Sequence, residues 1–178
     1  MHCKIDLFNQ EIKRYNPSLH LVSNKMLSQM QSHIKDCMSI LQYIHEPIIA
    51  DIGSGSGILS IPYKIMREDA IVYAIERNHK KCIFLAHSID MLELKGIEVI
   101  EADATTTETG PFNAVMSRAF SPKSTLEKAI LNLIKPGGHF YYMSTHETPP
   151  ISMEGAHLKK IISPKKSPAK LYLFIYEL

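Results

Sequence analysis

The stretch ADIGSGSGILSIP, residues 50–62, constrains this chain more than any other. Three glycines alternate with two serines between an apolar run and an amphipathic one. A short apolar strand that ends in glycines and feeds a helix opens a βα unit, and such units build parallel sheets buried on both faces. Glycines in that position let the backbone turn with positive φ or let it approach another group closely.

The rest of the chain agrees with that opening. Up to His45 the pattern is helical: Ile5, Phe8 and Ile12 fall along one face, Asn16-Pro17 is expected to break the helix, and a longer run follows from about Ser23. After Pro47, strand and helix alternate. PIIADIG is the first strand and GILSIPYKIMRE the first crossover helix, with Pro62 near its start. AIVYAIE is the second strand, followed by NHKKCIFLAHSIDMLEL, a helix capped by Asn78 and ended by Gly96. IEVIEADA and FNAVMSRAF are the third and fourth strands. SPKSTLEKAILNLIKPGG is expected as a helix with Ser121 as N-cap, Pro122 at N1 and Gly137 as C-cap. HFYYMST is the fifth strand, and HLKKIISPKKSPAKLYLFIYEL reads as an antiparallel hairpin at the sheet edge. The alternation predicts an α/β, mostly parallel, doubly wound sheet. The expected organisation is one domain, with residues 1–45 a helical cap and 46–178 the core.

Composition sets outer bounds. The chain has 178 residues with 45% hydrophobic content and a net charge of +2, which fits one globular domain and does not by itself demand a nucleic-acid partner. Cys3, Cys37 and Cys82 are scattered, which argues against a structural zinc and against a disulfide framework. No apolar run approaches a membrane span and the charged N-terminus is unlike a signal peptide, so the expected compartment is the cytoplasm.

Three nucleotide-binding loops compete for residues 53–57. A Walker A loop needs Lys after its last glycine, and Ile58 stands there. A dinucleotide fingerprint needs glycine at its sixth position, again Ile58. The pattern present is Asp-x-Gly-x-Gly-x-Gly, from Asp51 through Gly53, Ser54, Gly55 and Gly57. S-adenosylmethionine carries no phosphate and needs a loop whose backbone packs against the nucleoside and the methionine chain. Asp51 would orient that loop or face the ammonium group. The competing reading is a tight turn with no ligand.

A ribose held by this loop should meet a carboxylate at the end of the second strand, about 20 residues on. Glu76 stands there. The third strand ends in Glu-Ala-Asp-Ala, where Asp103 and Ala104 would border the adenine, with Asp103 accepting from its amino group.

Beyond the loop, the chain carries HIKDC (His33 to Cys37), KKCIFL (Lys80 to Leu85), SRAF (Ser117 to Phe120) and KPGG (Lys135 to Gly138). In that order it resembles the glucose-inhibited division protein B family, bacterial methyltransferases that modify guanine N7 in small-subunit ribosomal RNA. The resemblance implies a class I methyltransferase-like (Rossmann-like) fold and S-adenosylmethionine as cofactor. By position it implies cofactor contacts at Gly53, Ile58, Ala104, Thr105 and Arg118. The chain departs from the family where a Pro-Gly pair usually follows the loop, where Asp103-Ala104-Thr105 replaces Arg-Ala-Glu, and where Ser144-Thr145 replaces Lys-Gly.

Guanine N7 holds an in-plane lone pair and no proton, so its methylation needs alignment and no general base. An amino-group methyltransferase would show Asn/Asp-Pro-Pro-Tyr/Phe where this chain reads SRAF. Arg118 is the positioning candidate, suited to guanine O6 or a phosphate; its structural alternative is to hold the N-terminal helices. His33 and Asp36 share a helical face and are expected to seat the cap. Lys80 and Lys81 head a helix beside the site, and Lys159, Lys160, Lys165, Lys166 and Lys170 form a basic cluster in the hairpin. Of these, Lys80, Lys81, Lys165, Lys166 and Lys170 are the RNA-binding candidates. The expected partner is small-subunit RNA or the 30S subunit. Methylation of another RNA or a small molecule, and a cofactor-binding assembly factor without activity, stay open.

Overall fold

Helix α1 (His2–Leu19) buries Ile5, Phe8 and Ile12, the face that the spacing marked. Fully burying each such side chain contributes roughly 1.5–3 kcal/mol. Pro17, expected to break the helix, lies inside it. The missing N–H falls in the last turn, where only one carbonyl loses its partner. The end is closed instead by His20, at φ 48, whose N–H reaches the Asn16 carbonyl at 2.9 Å. The Asn16 side chain accepts from Val22 N at 2.8 Å.

The expected second helical run is two helices, α2 (Asn24–Ser28) and α3 (Met30–Leu41). Ser23 caps the first by accepting from Met26 N. The break at Gln29 is a tight turn in which its N–H reaches back three residues to the Met26 carbonyl.

The coordinates come from a computed structural model that describes residues 2–118, 122–149, 151–152, 154–163 and 171–178. The core elements follow as β1 (Ile48–Ile52), α4 (Ser60–Met66), β2 (Ile71–Glu76), α5 (His79–Met91), β3 (Ile97–Glu101), β4 (Phe112–Arg118), α6 (Lys123–Leu133), β5 (Ile134–Ser144), β6 (His157–Ile162) and β7 (Tyr172–Glu177). They form one seven-stranded sheet in the order β3-β2-β1-β4-β5-β7-β6. Strands β1 to β5 run parallel, and β7 is antiparallel to both β5 and β6. The mostly parallel α/β architecture with its edge hairpin is as the alternation predicted.

Two local expectations around α6 and β5 change. Pro122 is the N-cap of α6 and not its first helical residue; Ser121 lies outside the described residues. Gly137 does not end the helix, because α6 stops at Leu133 and the chain passes straight into β5. The KPGG stretch is an irregularity inside that strand, where the pairing with β4 jumps from Phe112↔Ile134 to Ala114↔His139. Gly138 is required there: a Cβ would lie 2.6 Å from Ile134 Cγ2 and 2.9 Å from the Asn113 carbonyl.

The sheet is buried on both faces. Along β4 and β5, Ala114, Met116, Tyr141 and Met143 face α1, α3, α4 and α5, while Val115, Phe140 and Tyr142 face α6. The chain moves outward from β1 to β3 and then returns to place β4 on the other side of β1. That reversal opens a crevice beyond the carboxyl ends of β1 and β4, where open α/β sheets bind ligands. Gly53 and Arg118 flank it. Among the described residues, no helix is long and apolar enough to cross a membrane.

Candidate functional site

The glycine loop leaves β1 with Gly53, Gly55 and Gly57 at φ 67, 57 and 75, the left-handed region that side chains disfavour. The three glycines serve different ends. At Gly57 a Cβ would lie 2.7 Å from Leu85 Cδ2 and 2.8 Å from Ile61 Cγ1, so its bareness allows the loop to pack on α4 and α5. Gly55 has open space around its missing side chain, with only the Gly53 carbonyl 3.7 Å away. Gly53 borders two cavities at once.

Glu76, at the end of β2, holds the loop in place. Its carboxylate accepts from Gly55 N at 2.9 Å and from Asn78 N at 2.8 Å. One lone pair on each oxygen stays available, since an ionised carboxylate has about four acceptor positions. Asn78 caps α5, accepting from Lys81 N at 3.2 Å.

Asp51 is buried, and its Oδ2 accepts from Ser60 N at the start of α4 at 3.2 Å. Burial pushes its carboxyl up to about 6, partly offset by hydrogen bonds from Ser54 and Ser60. It lines the same cavity as Ser54, Gly55 and Ile58.

The first cavity, about 230 Å³, lies over the ends of β2 and β3 and is walled by Glu76, Ala102, Asp103 and Ala104. Asp103 Oδ1 accepts from Thr105 N at 2.8 Å and Thr105 Oγ1 at 2.7 Å, which hold its carboxyl below the usual carboxylate range. Thr105, expected at the cofactor, is not on the cavity wall; it orients Asp103. Asn132 on α6 fixes the next turn by donating to the Ala104 and Thr107 carbonyls.

The second cavity, about 290 Å³, lies on the other side of Gly53, under Leu21, Val22 and Met26 of the helical cap, with Lys81 at its edge. Arg118 lines both cavities. Its Nη1 donates to Cys37 Sγ at 3.0 Å, so it also ties β4 to α3. Burial and the nearby Arg118 guanidinium hold His33 below the usual imidazole value, while burial pushes the Cys37 thiol up. His33 and Asp36 sit on the cap beside this cluster and line a separate groove with Lys13 and Gln29, which no glycine-loop residue borders.

The structure therefore brings together Asp51, Gly53, Ser54, Gly55, Ile58, Glu76, Asp103, Ala104 and Arg118. Gly57 lines neither cavity. Lys80 is exposed and lines neither, whereas Lys81 lines the second. In the hairpin, Lys159 pairs with Glu177 at 2.7 Å and Lys160 is exposed on edge strand β6. Lys165, Lys166 and Lys170 lie outside the described residues. Sequence reading missed Arg77, Pro122 and Thr125 in the first cavity and Leu21, Val22 and Met26 in the second. Arg77 had a signal, its place next to Glu76; the cap residues had none, because tertiary packing alone puts them there.

These donors and acceptors fit an adenosyl group. Glu76 offers acceptors for a ribose diol, Asp103 an acceptor and Ala102 and Ala104 an apolar wall for a purine. The two cavities together fall in the ~300–1,000 Å³ range of small-molecule sites. Cleft and fold together are of the class seen in S-adenosylmethionine-dependent methyltransferases. Among solved structures, a SAM-dependent methyltransferase from Aquifex aeolicus matches with a TM-score of 0.61 at 17% identity, covering 89% of this chain and 95% of that one. Magnesium protoporphyrin IX methyltransferase from Synechocystis, solved with bound SAM, matches with a TM-score of 0.66 at 13% identity, covering 96% of each. At such identities the likeness concerns the fold.

Sequence comparison goes further. The GidB family model, rRNA small subunit methyltransferase G, matches residues 1–156, and the chain belongs to that family. The ribosomal RNA small subunit methyltransferase G of Polynucleobacter asymbioticus is 33% identical over 169 residues, 86% of this chain and 76% of the relative. That of Hydrogenovibrio crunogenus is 30% identical over 140 residues, 77% of this chain and 64% of the relative. The chain spans about half to three quarters of the length of the curated relatives it matches.

Proposed function

We propose that this chain is a single-domain enzyme that transfers the methyl group of S-adenosylmethionine to guanine N7 of small-subunit ribosomal RNA, with the 30S subunit or its RNA as partner in the cytoplasm. The observation that carries this reading is the pair of cavities sharing Gly53 and Arg118 at the switch point of the sheet, in a chain of this family. One cavity suits the nucleoside, and the other opens under the helical cap towards a substrate.

When bound, the cofactor supplies an electrophilic methyl group on a sulfonium. The protein's share is alignment. Glu76 and the glycine loop hold the nucleoside end, and Asp51 faces the ammonium end. Leu21, Val22 and Met26 keep water from the reacting atoms. Guanine N7 gives its lone pair directly and loses no proton, so no side chain is asked to act as base. The product ring carries positive charge, so Arg118 serves by donating to guanine O6 or to a phosphate. Lys81, at the edge of the second cavity, suits an RNA phosphate.

The test has two stages. Calorimetric titration with S-adenosylhomocysteine is expected to show one site per chain. Labelled methyl transfer to 30S subunits lacking modifications, followed by nucleoside analysis, is expected to give N7-methylguanine. Binding with a different methylated nucleoside would move the substrate assignment. Binding without transfer to any RNA would leave a cofactor-binding assembly factor, and absence of binding would overturn the site itself.

A further inference from the structure

Arg77 stands on the rim of the first cavity and none of the roles above uses it. It follows Glu76 directly, where β2 ends, and its side chain is 78% exposed. Its Nη1 lies 3.7 Å from Asp103 Oδ2. Asp103 is the fixed member of this pair, because both donors of Thr105 occupy its other oxygen. An exposed pair at that separation adds little to stability, so folding alone does not explain the placement.

The chemistry of the walls does. Ala102 and Ala104 give the cavity a small, apolar side, and Arg77 and Asp103 give it a charged one. A flat heterocycle entering between them covers the alanines and meets a planar guanidinium. Guanidinium planes stack on bases and stay charged while doing so. Entry of the ring also removes water from the ion pair, which strengthens its attraction.

We propose that Arg77 is the outer wall of the nucleoside slot. Its guanidinium lies over the purine face of the bound cofactor while Asp103 keeps it over the opening. This rests on the cofactor assignment made above, and it gives Arg77 a binding role separate from the ribose-side role of Glu76.

The test is calorimetric titration of S-adenosylhomocysteine into the wild-type chain, Arg77→Ala and Arg77→Lys, with adenosine as a second probe. Stacking on an aromatic base is worth ~1–3 kcal/mol by alanine substitution. The expected result is a Kd about tenfold weaker for Arg77→Ala, with adenosine weakened by a similar factor. Arg77→Lys keeps the charge but loses the plane, so its Kd is expected to stay at least about fivefold above wild type. The melting temperatures of the unliganded variants are expected to match wild type, while the shift induced by S-adenosylhomocysteine shrinks. A Kd for Arg77→Ala within about twofold of wild type overturns the inference and leaves the cofactor site standing. Full recovery with Lys overturns stacking in favour of charge alone. A wild-type chain that does not bind S-adenosylhomocysteine overturns both.

Discussion

Arg118 Nη1 donates to Cys37 Sγ across 3.0 Å, joining the last residue of β4 to the middle of α3. Cys37 is fully buried and its thiol is pushed up by burial, so the partner is a neutral sulfur. One nitrogen of the guanidinium is thereby fixed on the cap, and the group borders both cavities in a set orientation. Sequence reading offered contact with ligand and support of the cap as alternatives for Arg118; the structure shows the support and places the same side chain on both cavity walls.

Replacing that sulfur tests the arrangement. Cys37→Ser keeps an acceptor and is expected to hold methyl transfer within about threefold of wild type. Cys37→Ala is expected to lower it by roughly tenfold, the low end of the ~1.5–3 kcal/mol for a hydrogen bond to a charged group, because sulfur is a weak acceptor. Steady-state transfer to 30S subunits, read beside the melting temperatures, checks this. Equal loss in both variants would show that shape at position 37 matters and the hydrogen bond does not.

Asp51 predicts a pH dependence. Its carboxyl rises from 3.8 to about 6 on folding, so ionising it opposes the fold. That cost is absent below about pH 3.8, grows through the window up to about pH 6 and is complete above it. It amounts to on the order of 3 kcal/mol at neutral pH. Asp51→Asn keeps an oxygen for Ser60 N and removes the cost, so it is expected to raise the melting temperature at pH 7.5 by several degrees and at pH 4 hardly at all. S-adenosylhomocysteine should bind wild type more weakly as the pH falls from 7 to 5, and bind Asp51→Asn weakly throughout. Calorimetry and thermal melts across that range decide both points.

Glu76 serves two backbone donors, and Glu76→Gln can satisfy only one of Gly55 N and Asn78 N, because the other would face an amide N–H. The loop should loosen and the ribose acceptor be lost together. Affinity for S-adenosylhomocysteine is expected to fall by about 10–100-fold, consistent with ~1.5–3 kcal/mol for a hydrogen bond to a charged group. Unchanged affinity would place the nucleoside elsewhere.

The glycines separate by position. Gly57→Ala must pay a left-handed φ of roughly 1–2 kcal/mol and also displace Leu85 and Ile61. Gly55→Ala meets only the φ cost. Gly57→Ala is therefore expected to melt several degrees below Gly55→Ala, using about 2–4 °C per kcal/mol for a chain of this size. Differential scanning calorimetry reads the order directly.

What the sequence disclosed follows physical range. The βα alternation, the loop and the distance from Gly53 to Glu76 are local patterns, and each stands where the spacing placed it. Pro17 and Gly137 misled because punctuation residues say where a helix can stop and not where packing makes it stop. Thr105 was expected at the ligand but holds Asp103, a distinction made by which way a side chain turns. The Cys37–Arg118 contact spans 81 positions and left no trace in any window.

The sheet order β5-β7-β6 exchanges the last two of these strands relative to the order in which they are synthesised. β6 leaves the ribosome before β7, yet among the described residues its one strand partner is β7, and β5 keeps a bare edge until β7 arrives. Tyr172, Leu173, Phe174 and Tyr176 fill that gap, and Leu178 fastens it by exchanging hydrogen bonds with Gly137 and Gly138. A nascent chain that has emerged only through β6 therefore exposes an unpaired strand edge lined by aromatic side chains, open to pairing with a neighbour. The sheet is continuous from β5 to β6 only once β7 has been made, and a stall inside the hairpin leaves the edge of β5 open.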